Sequence, residues 1–447
     1  MENRMSDKKQ TVQPCSKLVL TILILAIVFL EGLAAYDFVS GGALAYENWS
    51  RSFRELEELT QAREITVTAR NDIQSFGLDT AAEDCILNYM TLYFDSVASL
   101  EEQDLTALYD TAEASAAKAA AIDQTALSYL IGVRKLQPND LKMDACSIGV
   151  TYVNAAPQPG GDVQIELLED QIVNFAFIPE VDASSSGIRH QFTLRKSGDA
   201  YRIVAHEKEE DGYLLIEECF EQETEGEGPK NVQEVLDQIR DSLLENARAA
   251  VDYQNAQRFT AADSPAADKP HSHPYDRDAA VAYAMEWVDP LTVKRNPDWF
   301  LYDGYGGNCN NFISQCLYAG GIPMDWDGYA QWKWFDDEVD TWNQPNGRSP
   351  AWAGVDEFYN YAENNSGFGL VAEVHPNLYT GEPGDVLQYG ATGEWRHSVI
   401  ITDVIYGEDG RVQDYLINSN TTDRISYPAS AYAYYDFRLI HVLGWND

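Results

Sequence analysis

Apolar and polar positions change their spacing twice along this 447-residue chain. From Glu47 to Thr66, charged residues surround Phe53, Leu56 and Leu59 at helical spacing, which predicts an amphipathic helix. Ala81–Tyr93 and Leu105–Val133 also read as helices, the second strengthened by the Ala-rich stretch Ala112–Ala121. The period then drops to two. Cys146–Val153, Val163–Leu168, Gln171–Ile178, His190–Lys196, Tyr201–Glu207 and Tyr213–Glu217 read as short strands. Turn residues, among them Pro157-Gln158-Pro159-Gly160-Gly161 and Ser197-Gly198-Asp199, separate several of them. Helices followed by antiparallel strands predict an α+β unit, an order similar to NTF2-like cone domains. Helical spacing returns over Asn231–Asn255, through Val232, Val235, Leu236, Ile239 and Leu243.

The one long apolar run is Leu18–Leu30, preceded by Arg4, Lys8, Lys9 and Lys17. A basic flank followed by such a run predicts a signal peptide or an uncleaved anchor. Extended to Tyr36, the run reaches the ~20 residues that a membrane span needs. Either outcome places everything after about residue 37 outside the cytoplasm, membrane-anchored or secreted. Glu207–Glu227 holds ten acidic residues and one Lys, which predicts a solvated connector. The expected organisation is 1–36 as n-region and signal or anchor, 37–258 as a helical then β domain, 259–274 as linker, and 275–447 as a second α+β domain.

Composition narrows the partners. Thirty-one basic against 72 acidic residues leave a formal net charge of −41. That excludes a nucleic-acid binder, which must neutralise phosphates. Cys15, Cys85, Cys146, Cys219, Cys309 and Cys316 form no CxxC pair and no cluster with zinc spacing, so neither metal nor cofactor is expected.

Chemistry concentrates in the C-terminal 170 residues. In Tyr302–Leu317, Gly304, Gly306 and Gly307 precede Cys309, which opens a helix with apolar positions at Phe312, Ile313, Cys316 and Leu317. A thiol there meets unpaired backbone N–H groups and the positive end of the helix dipole, both favouring thiolate. The same N–H groups can hold an oxyanion. Cys316, two turns on, reads as core. A nucleophilic thiol needs a base, and His397 heads the β-branched run Ser398–Val404. Asn418 and Asn420 end the next strand, and either could orient the imidazole. Helix-Cys, strand-His, next-strand-Asn is the order of papain-type enzymes. Five tryptophans from Trp326 to Trp352 fall between Cys and His, either walling a cleft or stapling an irregular segment to the core.

These residues carry a resemblance. Tyr275–Ala284 (YDRDAAVAYA), Gly306–Met324 (GGNCNNFISQCLYAGGIPM), Gly384-Asp385-Val386, His397-Ser398 and Asn420-Thr421-Thr422-Asp423 resemble the putative amidase domain family of secreted bacterial proteins. That family is distantly similar to NlpC/P60 and papain-like cysteine hydrolases. The family pattern GGDCTNF is replaced here by Asn308 and Asn310 around the thiol, and HTxD by a sequence beginning with Asn420. The resemblance implies amide hydrolysis through a thioester, acting on cell-wall or other extracellular peptides. Cys309 would be the nucleophile, His397 the base and Asn420, or else Asn418, the orienting residue. Gly307, Asn308, Trp332 and Trp395 would contact substrate.

Overall fold

The computed structural model describes residues 64–225, 231–264, 269–303, 307–326, 331–335, 347–374 and 376–447. The apolar run Leu18–Leu30 lies outside them, and among the described residues no helix is long and apolar enough to cross a membrane. The predicted Glu47–Thr66 helix also falls mostly outside, and where it enters the described chain it is strand β1 (Glu64–Ala69).

Two helices follow, α1 (Thr80–Ser99) and α2 (Ala114–Leu136). The Asp79 side chain caps α1 by accepting the Ala81 N–H. Next come β2 (Met143–Pro157), β3 (Val163–Phe175), β4 (Ala183–Ser197) and β5 (Ala200–Lys208), the last three each antiparallel to the strand before. Val163–Leu168 and Gln171–Ile178, read as two strands, are mostly one, because β3 runs unbroken to Phe175.

The expected strand Tyr213–Glu217 and most of the described part of the expected acidic connector form a helix, α3 (Asp211–Thr224), while Glu207 and Lys208 end β5. The Glu210 carboxylate caps it, accepting from the Gly212 and Tyr213 N–H groups at 3.1 and 3.0 Å. Tyr213, Ile216 and Phe220 lie on one helical face and are buried. The four-residue apolar run Tyr213–Ile216 does not distinguish strand from helix, and the cap together with Phe220 decides it.

The chain continues through α4 (Val232–Thr260), β6 (His273–Pro274), α5 (Arg277–Glu286), α6 (Cys309–Ala319), α7 (Pro350–Ala353) and α8 (Val355–Asn364). It ends with β7 (Gly369–Glu373), β8 (Val386–Ala391), β9 (Glu394–Tyr406), β10 (Val412–Ser419), β11 (Asp423–Pro428) and β12 (Asp436–Asn446). The fold is α+β around one large mixed sheet, ordered β1-β2-β3-β4-β11-β10-β9-β8-β12-β6, with β5 on β4 and β7 on β12. Among the named strands of the described residues, only the β1–β2 pair is parallel.

Strand β4 joins the two halves. Its first residues, Ser184–Ser186, pair with β11, and its remainder, from His190, pairs with β5. Between them Gly187 has φ +80°, a conformation that favours glycine. The later strands are buried on both faces. Leu387, Tyr389, Val399 and Ile401 belong to the core shared with α1, α2 and α4, whereas Val386, Ile400 and Ile440 belong to a second core with α5, α6 and α8. That alternation follows from the period of two, and it determines which face each site residue sees.

Candidate active site

Three asparagines fix the start of α6. The Asn308 backbone N–H donates to Thr421 Oγ1 at 2.5 Å, and its Nδ2 donates to Asn420 Oδ1 at 3.0 Å. Asn311 Nδ2 donates to Asn308 Oδ1 at 2.8 Å, and Trp352 Nε1 donates to Asn311 Oδ1 at 2.7 Å. Asn310 Nδ2 donates to the Ala351 and Trp352 carbonyls, and its Oδ1 accepts from Ser398 Oγ at 2.9 Å. All three are buried. Hydrogen-bonded amides in such a site hold the helix to one position, because breaking one leaves a buried polar group unpaired. Gly307, immediately before, has φ +116°, so a side chain there would be strained.

Cys309 is 6% exposed. Burial pushes its thiol above the ordinary range, and the backbone N–H groups of Ser398, Asn310 and Cys309 pull it the other way. The expected net preference for thiolate is therefore corrected: desolvation outweighs the helix terminus. Cys316, fully buried, is pushed much further up, with only its own backbone N–H opposing. Of the two α6 thiols, Cys309 alone meets N–H groups from a second element.

His397 sits on β9 opposite Tyr389 of β8 and shares that strand's α2/α4 face. Tyr389 stacks on Tyr432 at 4.2 Å, and the His397 ring lies 5.7 Å from Tyr432. Ser398, one residue on, faces the opposite way, toward Asn310. The strand thus brings the Ser398 backbone to the thiol while the neighbouring imidazole looks toward Tyr432. No hydrogen bond joins Cys309 Sγ to the ring, and Nε2 has no partner among the described residues. Burial pushes the imidazole down to about 4, with Asp211 raising it and Arg424 lowering it. Those two charges form an ion pair at 2.7 Å.

The asparagines lie elsewhere. Cross-strand pairing sets Asn418 opposite Ile400, on the α5/α6 face. There its Nδ2 donates to the Ala284 carbonyl at 3.2 Å and its Oδ1 accepts from Ser426 N–H at 3.0 Å. Asn420, beyond the end of β10, accepts from Asn308, and its Nδ2 has no partner among the described residues. Neither asparagine bonds His397. Trp332, expected on a cleft wall, is instead fully buried, its Nε1 donating to Ser314 Oγ at 2.8 Å and its ring 5.0 Å from Trp352. Trp395 is half-buried under the Arg438 guanidinium at 4.1 Å.

Four site residues escape the sequence reading. Ser398 supplies a backbone N–H, which no side-chain pattern reports. Asp211 and Arg424 reach His397 only because β11 pairs with β4. Thr421 lies in the three-residue loop Asn420-Thr421-Thr422 between β10 and β11, which contains no glycine to announce a turn. The turn places both Thr421 and Thr422 at positive φ, 62° and 56°. β-branched residues rarely adopt that conformation, and strain of this kind concentrates at functional sites.

Residues 274–443 match the family model described as "Putative amidase domain". The uncharacterized protein YhbB of Bacillus subtilis (strain 168) is 33% identical over 151 residues, which is 33% of this chain and 42% of that protein. The chain thus spans less than half the length of this relative. No solved structure matches.

Proposed function

We propose that this chain is an extracytoplasmic cysteine amidohydrolase or peptidase acting on peptide or peptidoglycan-derived substrates. The matched amidase model supports amide hydrolysis by residues 274–443. The carrying observation is the Cys309 thiol in the first turn of α6, held against the Ser398 N–H immediately after His397. The basic flank and apolar run at Leu18–Leu30 support export and attachment to the membrane when uncleaved.

In this reading the neutral His397 imidazole turns toward Sγ on substrate binding, as catalytic contacts that are long in a free enzyme tighten in the complex. It takes the thiol proton, Sγ bonds to the amide carbon, and the first-turn N–H groups hold the oxyanion. His397 returns the proton to the leaving amine as the C–N bond breaks, and water then hydrolyses the thioester. Asn420 acts through Asn308, on the position of the helix.

The test is turnover of peptide amides and peptidoglycan fragments by the full chain. Cys309→Ala and His397→Gln are each expected to abolish it, and turnover surviving Cys309→Ala overturns the reading. A second reading, a surface binding protein with an inactive hydrolase domain, draws on the raised thiol and its missing bond to His397. It predicts no turnover by the wild-type chain, with cellular function retained in Cys309→Ala.

A further inference from the structure

On the sheet face that carries α6, two adjacent cross-strand rows differ in character. In one row Ile440 of β12, Val386 of β8 and Ile400 of β9 lie side by side, all fully buried in the second core. Two residues along each strand, and so on the same face, the next row is Arg438, Gln388 and Ser398. Gln388 and Ser398 are fully buried too. Arg438 Nε donates to Gln388 Oε1 at 2.8 Å. Gln388 Nε2 donates to Ser398 Oγ at 3.1 Å and to the Val355 carbonyl at 2.8 Å. Ser398 Oγ donates to Asn310 Oδ1 at 2.9 Å.

The direction of this chain is fixed at both sides of Gln388. A guanidinium only donates and a carbonyl only accepts, so Arg438 and Val355 leave the amide one orientation. Its Nε2 then points at Ser398, whose hydroxyl must pass its own hydrogen to Asn310. Asn310 in turn spends Nδ2 on the Ala351 and Trp352 carbonyls. Arg438 is itself held in place. Its Nη2 lies 2.8 Å from Asp356, and its guanidinium carbon lies 3.6 and 4.1 Å from the centres of the Tyr359 and Trp395 rings.

Stability alone gives little reason for a polar row. Replacing both partners of a buried hydrogen bond by apolar groups of the same shape is close to neutral, and the neighbouring row shows that aliphatic side chains fit this face. What the row does is place Ser398. Pairing of β9 with β10 stops at Ile400, so among the named strands β8 alone pairs with Ser398. The Ser398 N–H goes to the Cys309 thiol.

We infer that Gln388 is a positioning residue for Cys309: oriented by Arg438 and Val355, it clamps the Ser398 side chain and so aims the Ser398 N–H at the thiol. Its contribution to turnover rests on the hydrolase reading, whereas its effect on the thiol does not.

The test is the rate of Cys309 alkylation by iodoacetamide in the full chain from pH 7 to 10.5, read by peptide mapping, beside turnover of peptide amides. Gln388→Met keeps the length of the side chain and removes both ends of the amide. Its titration midpoint should lie about one pH unit above that of wild type, because an aimed N–H favours the thiolate. The rate at pH 8 should fall about three- to tenfold, and amide turnover about tenfold. If Gln388→Met does not fold, the double variant Arg438→Met with Gln388→Met, which removes donor and acceptor together, serves the same comparison. An unmoved midpoint in a folded variant overturns the role even where the rate falls, since a loosened core changes access alike at every pH. A wild-type chain that turns over no amide defeats the hydrolase reading and leaves a raised midpoint in Gln388→Met standing. Wild-type turnover with an unmoved midpoint defeats the clamp and leaves the hydrolase reading standing.

Discussion

The Thr421 hydroxyl accepts the Asn308 backbone N–H at 2.5 Å, so the tip of the β10–β11 hairpin grips the residue preceding Cys309. Thr421 sits at φ 62° to do so. Replacing it with glycine relieves strain of about 1–3 kcal/mol and removes a hydrogen bond of about 0.5–1.5 kcal/mol. Thr421→Gly should therefore be as stable as wild type or about 1 kcal/mol more stable, by denaturant unfolding, while amide turnover falls about tenfold or more as the helix start loses its anchor. Unchanged turnover would separate the hairpin from the chemistry.

The raised Cys309 thiol has a kinetic signature. Alkylation by iodoacetamide should climb steadily with pH through and beyond 8.5, the ordinary thiol value, with no plateau in the acid range. Cys316, pushed further up and fully buried, should stay unmodified in the folded chain. Peptide mapping after labelling reads both. A flat profile from pH 5 to 8 would mean a preformed thiolate and contradict the burial argument.

Acid should weaken the fold through its buried histidines. His397 and His206 are both held down to about 4, against an unfolded value of 6.5. A depressed histidine contributes stability that is present above pH 6.5 and lost as pH falls toward 4, because the unfolded chain takes the proton first. Each shift corresponds to about 3 kcal/mol. Asp414 and Asp423, raised to about 6, oppose this, since their contribution is full below pH 3.8 and fades as pH rises through 6. His397→Gln should narrow the difference in unfolding free energy between pH 7 and 4.5 by about 2–3 kcal/mol in urea titrations. An unchanged difference would show that the imidazole is not held neutral by the fold.

Trp332 distinguishes core from cleft. Its indole N–H is spent on Ser314, and its ring is closed off between elements of the second core. Trp332→Phe should cost about 1–3 kcal/mol of stability through the lost hydrogen bond and the smaller ring. The KM for peptide amides should not move. A raised KM at unchanged stability would return Trp332 to the substrate.

Much of this molecule was legible locally. The order of helices then strands, the hairpin turns at Gly160 and Gly198, and the helix opening at Cys309 all follow from period, caps and turn residues acting over a few positions. The misread segment, Tyr213–Glu217, failed because its four apolar residues suit either period until Glu210 caps and Phe220 buries. Trp332 failed because an aromatic's neighbours, and not its type, decide whether it meets solvent.

The sequence by itself determined the candidate vocabulary: one thiol at a glycine-led helix start, one histidine in a β-branched strand, and asparagines downstream. Local chemistry suffices for that, since helix starts and strand alternation are set by adjacent residues. Which of these groups meet was decided only by the tertiary structure. Pairing of β10 with β9 sent Asn418 to the face opposite His397, and pairing of β11 with β4 brought Asp211 and Arg424 to the imidazole. Burial, a property of the whole assembly, raised the thiol that the helix terminus alone would have lowered.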